Sequence, residues 1–353
     1  MTVTRSDAAL VHRLGTAWQD AVTAALGSER AALLDFPGHK NVGDSLIWLG
    51  ERALLARAGV GVDYACEHHS LVPAALRARN GSRPLMLHGG GNFGDVWPDY
   101  QRFREDVARR FPRQRIVQLP QSIWYSDSAA GDDTGSDGSR ALRAHPDLHL
   151  MVRDRRSLDE ARRRFPDAAV GLVPDAAFGL GPLERTAPAE VDVLCLMRDD
   201  REGVGHAATF RAAGLPVTDW GRHAFDHRAW RLKRRTIGAV RRVETAATSR
   251  LTQPVLRATY DAMARQNLQA GVRTFSRARV IVTDRLHGHV LCLLLGIPHV
   301  VLDNSYGKIA DFREAWTSES VLTRTASGAD EAVDAARELL REFGGAEQVR
   351  AAG

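Results

Sequence analysis

At 353 residues the chain is longer than one hydrophobic core usually serves, so two domains are expected. Hydrophobic residues make up 44% and charged residues 26%, an ordinary globular balance, and three scattered cysteines, Cys66, Cys195 and Cys292, exclude a zinc ribbon and argue against a disulfide scaffold. A formal charge of +5 and a pI near 9.4 suit an acidic substrate or an anionic surface, and no aromatic-plus-basic constellation points to nucleic acid.

The first 27 residues, "MTVTRSDAALVHRLGTAWQDAVTAALG", have amphipathic helical spacing and lack the continuous apolar core of a signal peptide. Short apolar runs then alternate with helical patterns. The expected strands are 32–34, 84–87, 115–119, 148–152 and 170–173, followed by a second series at 191–197, 280–283 and 299–302. Helical spacing fills the gaps, as in "DSLIWLGERALLARAG" and "RRSLDEARRRF". Strand, loop, helix, strand is the grammar of parallel α/β sheets. "SAAGDDTGSDGS" reads as a mobile surface loop. The Pro/Gly/Ala-rich stretch 174–190 separates the strand series and is taken as the boundary between a domain over 1–180 and one over 190–353. The last helix is expected to pack back on the first of them. The most apolar window, 290–302, is broken by Gly296, Pro298 and His299, so no membrane span is expected.

Four polar clusters each follow the end of an expected strand. "GHKNVGD" holds Asn41, Gly43 and Asp44. "HGGGNFGD" holds Gly89, Gly90, Gly91, Asn92, Gly94 and Asp95. "VRDRRS" holds Arg153, and "DRLHGH" holds Asp284, Arg285, Leu286, His287 and His289. In open parallel sheets ligands bind beyond the carboxyl ends of the strands, where glycines and helix N-termini admit anions. Each cluster has a plainer reading: Asp44 and Asp95 are also suited to be N-caps, the glycines to a tight turn, and His289 to the inner face of a helix. It is the four together that suggest a site. His287 and His289, two apart at a helix start, diverge rather than share a metal ion, and no G-x-S-x-G elbow or charged cysteine offers a nucleophile. The basic stretch 227–250 interleaves Trp230, Leu232, Ile237 and Val240. Its first reading is a solvated helix face, and its second is peripheral contact with anionic lipid or with a lipid-diphosphate acceptor.

In this order the clusters resemble the polysaccharide pyruvyl transferase family, over roughly residues 30 to 315. "NVGDSLIWLGE", "LHGGGNFGDVWPDYQRFREDVARRFP", "IVQLPQSIWY", "VRDRRS" and "VTDRLHGHVLCLLLGIPHVVLDNSYGKI" carry the likeness, above all to exopolysaccharide-type members. The resemblance implies two Rossmann-like parallel-sheet domains facing a cleft, similar to the GT-B architecture. It implies transfer of the pyruvyl group of phosphoenolpyruvate to a saccharide or its lipid-linked precursor, as a cyclic ketal, with release of phosphate. No cofactor beyond that co-substrate, and no metal, is then expected. The family's donor-binding arginine and Arg-Leu-His triplet map to Arg153 and to Arg285, Leu286 and His287, with Lys308 as a further cation. His287 is expected to be the general acid/base. Asp44 is expected beside it, and Asn41, Gly43, Gly90, Gly91, Asn92, Asp95 and Gln121 on the acceptor side. Phosphoenolpyruvate being a cytosolic metabolite, the expected location is cytoplasmic, at or near the inner membrane face. Two other readings remain at this level: a GT-B glycosyltransferase using a nucleotide-sugar, and a silent sugar-binding subunit of an assembly complex.

Overall fold

The computed structural model describes residues 5–126, 139–198, 205–220, 225–303 and 307–350, with the side chains of Arg5, Lys308 and 344–350 outside that description. The acidic insert after Tyr125 lies almost wholly outside it, as do Asn304 and Tyr306.

All strand pairs among the described residues are parallel. The first sheet holds β1 (Arg30–Leu34), β2 (Gly61–Cys66), β3 (Leu85–Leu87), β4 (Gly90–Gly94), β5 (Ile116–Trp124), β6 (Leu148–Val152) and β7 (Ala169–Leu172). Its order is β2-β1-β3-β5-β6-β7, and β4 pairs with the far half of β5. The second sheet holds β8 (Val191–Leu196), β9 (Val217–Thr218), β10 (Ala278–Thr283), β11 (His299–Leu302) and β12 (Thr323–Ala326), ordered β12-β11-β10-β8-β9. Each sheet reverses direction once, between β1 and β3 and between β8 and β10. Those reversals open crevices at the carboxyl edge. The result is the expected GT-B-like pair of parallel sheets.

Eight of these strands match apolar runs. The other four carry weak signals: β2 contains Asp63, β4 is mostly glycine, β9 has two residues and β12 reads Thr-Arg-Thr-Ala. Asp63 is tolerated in β2 because Arg30 and Arg83 reach its buried carboxylate. β5 is long because it serves β3 first and β4 afterwards. Pro120, which cannot donate to a ladder, falls where the register shifts on the β6 side.

Two helices tie the sheets together. α1 (Arg5–Leu26) buries Leu10, Val11 and Leu14 in the core of the second sheet and Trp18, Val22 and Leu26 in that of the first. Between these two helices in the chain come α2 (Val42–Arg57), α3 (Pro73–Asn80), α4 (Pro98–Arg110), α5 (Arg140–Arg143), α6 (Arg155–Arg164), α7 (Ala207–Ala212) and α8 (His227–Arg242). α9 (Ser249–Ser276) then places Leu256, Tyr260 and Met263 in the first core and Val272 and Phe275 in the second. Three further helices complete the second half: α10 (Leu286–Leu295), α11 (Lys308–Trp316) and α12 (Ala329–Arg350). Among the described residues the last helix does not return to the first sheet. α12 covers β10, β11 and β12 with Ala332, Ala336 and Leu339, and α9 makes the crossing instead.

The stretch 174–190 is not a loose linker. Ala176–Leu180 form a 3-10 helix packed on α2, and glycine sets the approach. A Cβ on Gly50 would overlap the Ala176 carbonyl, and one on Gly179 would strike Leu54. Gly50→Ala is expected to cost about 1–3 kcal/mol, towards the upper end because a backbone carbonyl cannot rotate aside. Thermal unfolding of the variant measures this, and an unchanged Tm would contradict the packing described.

Candidate active site

A cavity of about 370 Å³ lies between the carboxyl edges of the two sheets. The first sheet supplies His39, Asn41 and Asp44 after β1, Gly91 and Asn92 from β4, Trp97 and Tyr100 beyond it, and Arg153 after β6. The second supplies Arg198 after β8, Trp220 after β9, and Arg285, Leu286 and His287 after β10. The lining thus comes from both crevices.

Arg153 and His287 meet over a buried carboxylate. Arg153 donates from Nη1 to Asp175 Oδ2 at 2.6 Å and from Nε to Ser122 Oγ at 3.0 Å. His287 Nε2 lies 3.3 Å from the same Asp175 oxygen and 3.5 Å from Arg153 Nη1. Asp175 is 1% exposed and caps the 3-10 helix by accepting from Ala177 N. Burial alone would raise its carboxyl. The charges of His287 and Arg153 and the hydrogen bond from His287 reverse that and hold it well below the carboxylate range. The imidazole also needs Gly43, because a Cβ there would sit 2.7 Å from His287 Nδ1.

Arg285 is held in the same manner. Its Nε and Nη2 each donate to Asp219 at 2.6 Å, a bidentate fork. Asp284 turns inward, 2% exposed, and accepts from Arg198 N at 2.9 Å, joining β10 to β8 at the crevice.

A second imidazole–carboxylate pair faces the cavity. His39 Nε2 lies 2.7 Å from Asp44 Oδ2. Burial would lower His39, but the bond and charge of Asp44 outweigh it and leave the imidazole more basic than usual. For Asp44 burial would raise the carboxyl, and His39, with a contribution from His287, drives it well below the normal range. Asn41 caps α2 by accepting from Gly43 N at 2.8 Å.

The expected residues divide accordingly. Asn41, Asp44, Gly91, Asn92, Arg153, Arg285, Leu286 and His287 line one cavity. Gly43 acts through the imidazole it seats. Gly90 is buried, with φ +134, behind the lining. Two assignments are corrected. Gln121 is fully buried: its amide nitrogen donates to His88 O at 3.0 Å and to Asn92 Oδ1 at 3.1 Å, and its oxygen accepts from Asn92 N, so it braces β4. Asp95 accepts from Ser126 N at 2.8 Å and fastens the end of β5. The Lys308 side chain lies outside the described residues. His289, as its helical position suggests, turns into the core, bonding His299 at 2.7 Å and Thr317 at 2.9 Å.

Sequence reasoning missed His39, Asp175, Arg198, Asp219 and the three aromatic rings. Asp175 had the signal of the other clusters, a polar residue just past a strand, but sat in a stretch read as linker. Asp219 and Trp220 follow a two-residue strand that leaves no pattern.

The family model for polysaccharide pyruvyl transferase matches residues 41–306, which takes in Asn41, Asp44, Arg153, Asp175, Arg285 and His287, while His39 lies two residues before its start. The chain belongs to the polysaccharide pyruvyl transferase family. Among relatives, this transferase is 32% identical over 332 residues to "Pyruvyl transferase 1" of Schizosaccharomyces pombe, covering 90% of this chain and 77% of that one. It is 30% identical over 292 residues to "Putative pyruvyl transferase EpsO" of Bacillus subtilis, covering 82% and 86%. Among solved structures it is similar to a functionally uncharacterised protein from Klebsiella pneumoniae, with a TM-score of 0.56 and 15% identity over 89% of this chain and 99% of that one, a likeness of fold alone.

Proposed function

We propose that the enzyme transfers the pyruvyl group of phosphoenolpyruvate to two hydroxyls of a saccharide, giving a cyclic ketal and phosphate. The observation that carries this reading is the convergence of Arg153 and His287, from different sheets, on one buried carboxylate, with Arg285 in the same cavity. A three-carbon donor with a carboxylate and a phosphate needs fixed cations, and guanidinium forks suit both groups. Asp175 and Asp219 hold the two forks in place, so little ordering is left to the substrate.

The chemistry then follows from two proton-handling pairs. His287 gives its proton to the methylene carbon, whose π electrons form the new C–H bond. The first hydroxyl oxygen bonds to the electron-poor central carbon and its proton passes to His39, which Asp44 makes more basic. The carbon–oxygen bond to phosphate breaks with its electron pair on phosphate, which takes the proton from His39. The second hydroxyl closes the ring and its proton returns to His287. Two hydroxyl protons enter, one ends on the methyl group and one on phosphate, and no water is consumed. Trp97, Tyr100 and Trp220 offer flat apolar faces beside polar edges, the surface that suits a sugar ring.

Phosphate release tests this directly. It should require phosphoenolpyruvate and a saccharide together, whereas release of nucleotide from a nucleotide-sugar would overturn the assignment. A pH profile tests the base. His39 must be deprotonated to act, and Asp44 raises its proton affinity. In Asp44→Asn that affinity falls, so the acidic limb of kcat/KM should move to lower pH. An unmoved limb would remove His39 from the role.

A further inference from the structure

The hairpin of α8 and α9 leaves the cavity rim and carries a surface that the transfer reaction does not use. Of the six large hydrophobic side chains exposed among the described residues, four lie on it: Leu232 at 66%, Val243 at 58%, Leu251 at 78% and Val255 at 43%. Leu232 and Val255 flank a shallow, mostly apolar groove of about 520 Å³ between the helices, floored by Ala258 and Ala262. Val243 stands on the turn at the tip and Leu251 on the first turn of α9. Single exposed aliphatics are ordinary, but a concentration in one hairpin is not.

Charge sorts across the same hairpin. Arg228, Arg231, Arg235, Arg242, Arg250 and Arg265 are exposed. From 227 to 269 the only acids are Glu244 and Asp261, and both turn inward, Glu244 accepting from Gln253 at 2.6 Å and Asp261 from the Trp48 indole at 2.9 Å. The inward cations are satisfied, Lys233 by Gln266 and Arg234 and Arg241 by Glu67. Trp230 and Ile237 are spent in the core. Beyond the exposed N-cap Asp226 at the rim end, the outer face is therefore arginine and aliphatic, with no exposed carboxylate from 227 to 269 and no exposed aromatic ring for stacking bases. That composition is the interfacial kind, in which aliphatics enter the headgroup boundary and cations meet lipid phosphates.

We infer that the outer face of the α8–α9 hairpin docks on an anionic phospholipid bilayer and holds the cavity rim against the headgroup layer. The rim is tied to the hairpin: Lys40 Nζ lies 2.9 Å from His227 Nδ1 and over the Phe225 ring, and Asn267 donates to the His39 carbonyl at 3.0 Å. α8 spans about 24 Å at 1.5 Å per residue, so a hairpin lying flat keeps tip and rim at one level. A saccharide on a membrane-embedded lipid carrier would then reach His39 and His287. That consequence rests on the proposed pyruvyl transfer, while the membrane contact itself does not.

The test is co-sedimentation of the full chain with vesicles of phosphatidylcholine alone and of phosphatidylcholine with phosphatidylglycerol. Binding should require the anionic lipid and weaken with salt. It should fall roughly tenfold or more in Arg231→Glu/Arg235→Glu and in Leu251→Asp. Thermal unfolding and phosphate release on a soluble acceptor should stay unchanged in both variants, since none of these residues touches the cavity. Equal binding to neutral vesicles, no binding at all, or variants that bind as well as the parent would overturn the inference. So would a dimer in solution that Leu251→Asp dissociates, because the face would then belong to a second copy. Vesicle binding needs no turnover, so a failed transfer assay and a failed membrane contact are told apart.

Discussion

Replacing His287 by alanine is expected to lower kcat by roughly 10²- to 10⁴-fold, with a much smaller change in KM for phosphoenolpyruvate. In the proposed reaction the imidazole gives a proton to carbon, the step that turns an enol phosphate into a centre that hydroxyls attack. Its position is fixed on three sides: by Asp175, by Arg153 and by the bare face of Gly43. The arginines proposed to meet the donor's charges stay in place in this variant, so the loss should fall on the chemical step. A variant with parental kcat would show that the proton comes from elsewhere.

The second large effect concerns Asp175. Asp175→Ala leaves Arg153, which is 3% exposed, and His287 without their common counter-charge, and it uncaps the 3-10 helix at Ala177. Breaking a buried pair by removing one partner costs about 3–5 kcal/mol, so a marked fall in Tm is expected along with loss of transfer. The pH dependence carries the sign. Because the folded carboxyl sits below its unfolded value of about 3.9, its contribution is fully present above that value and is lost as pH falls through and below it. The parent should therefore lose stability on acidification below about pH 4, and Asp175→Ala should lose less over the same window. Parallel acid-unfolding curves would contradict the ion-pair account.

Most of this arrangement was legible because strand ends announce themselves. Arg153 directly follows "LHLMV" and Arg285 follows "VIVT", and a polar residue ending an apolar strand in a parallel sheet has nowhere to point but the carboxyl edge. Pairing was not legible. Asp175 and His287 are 112 residues apart and Asp219 and Arg285 are 66 apart, and nothing local in the chain states which carboxylate orients which cation. Gln121 misled because its segment resembles the family closely, yet its side chain serves the geometry of β4, where a glycine-rich strand anchored by Phe93 is also held by amide bonds from β5 and by the buried Arg104. Gly43 shows the reverse. Its position was right for a site, but its use lies in the room it leaves for another residue's ring.

The most direct measurement is the mass of a saccharide acceptor after incubation with the enzyme and phosphoenolpyruvate. The account predicts a gain equal to phosphoenolpyruvate less phosphoric acid, lost again on mild acid treatment that opens a ketal, and absent with His287→Ala. A gain of one sugar residue from a nucleotide-sugar, with the acceptor unaltered by phosphoenolpyruvate, would contradict it.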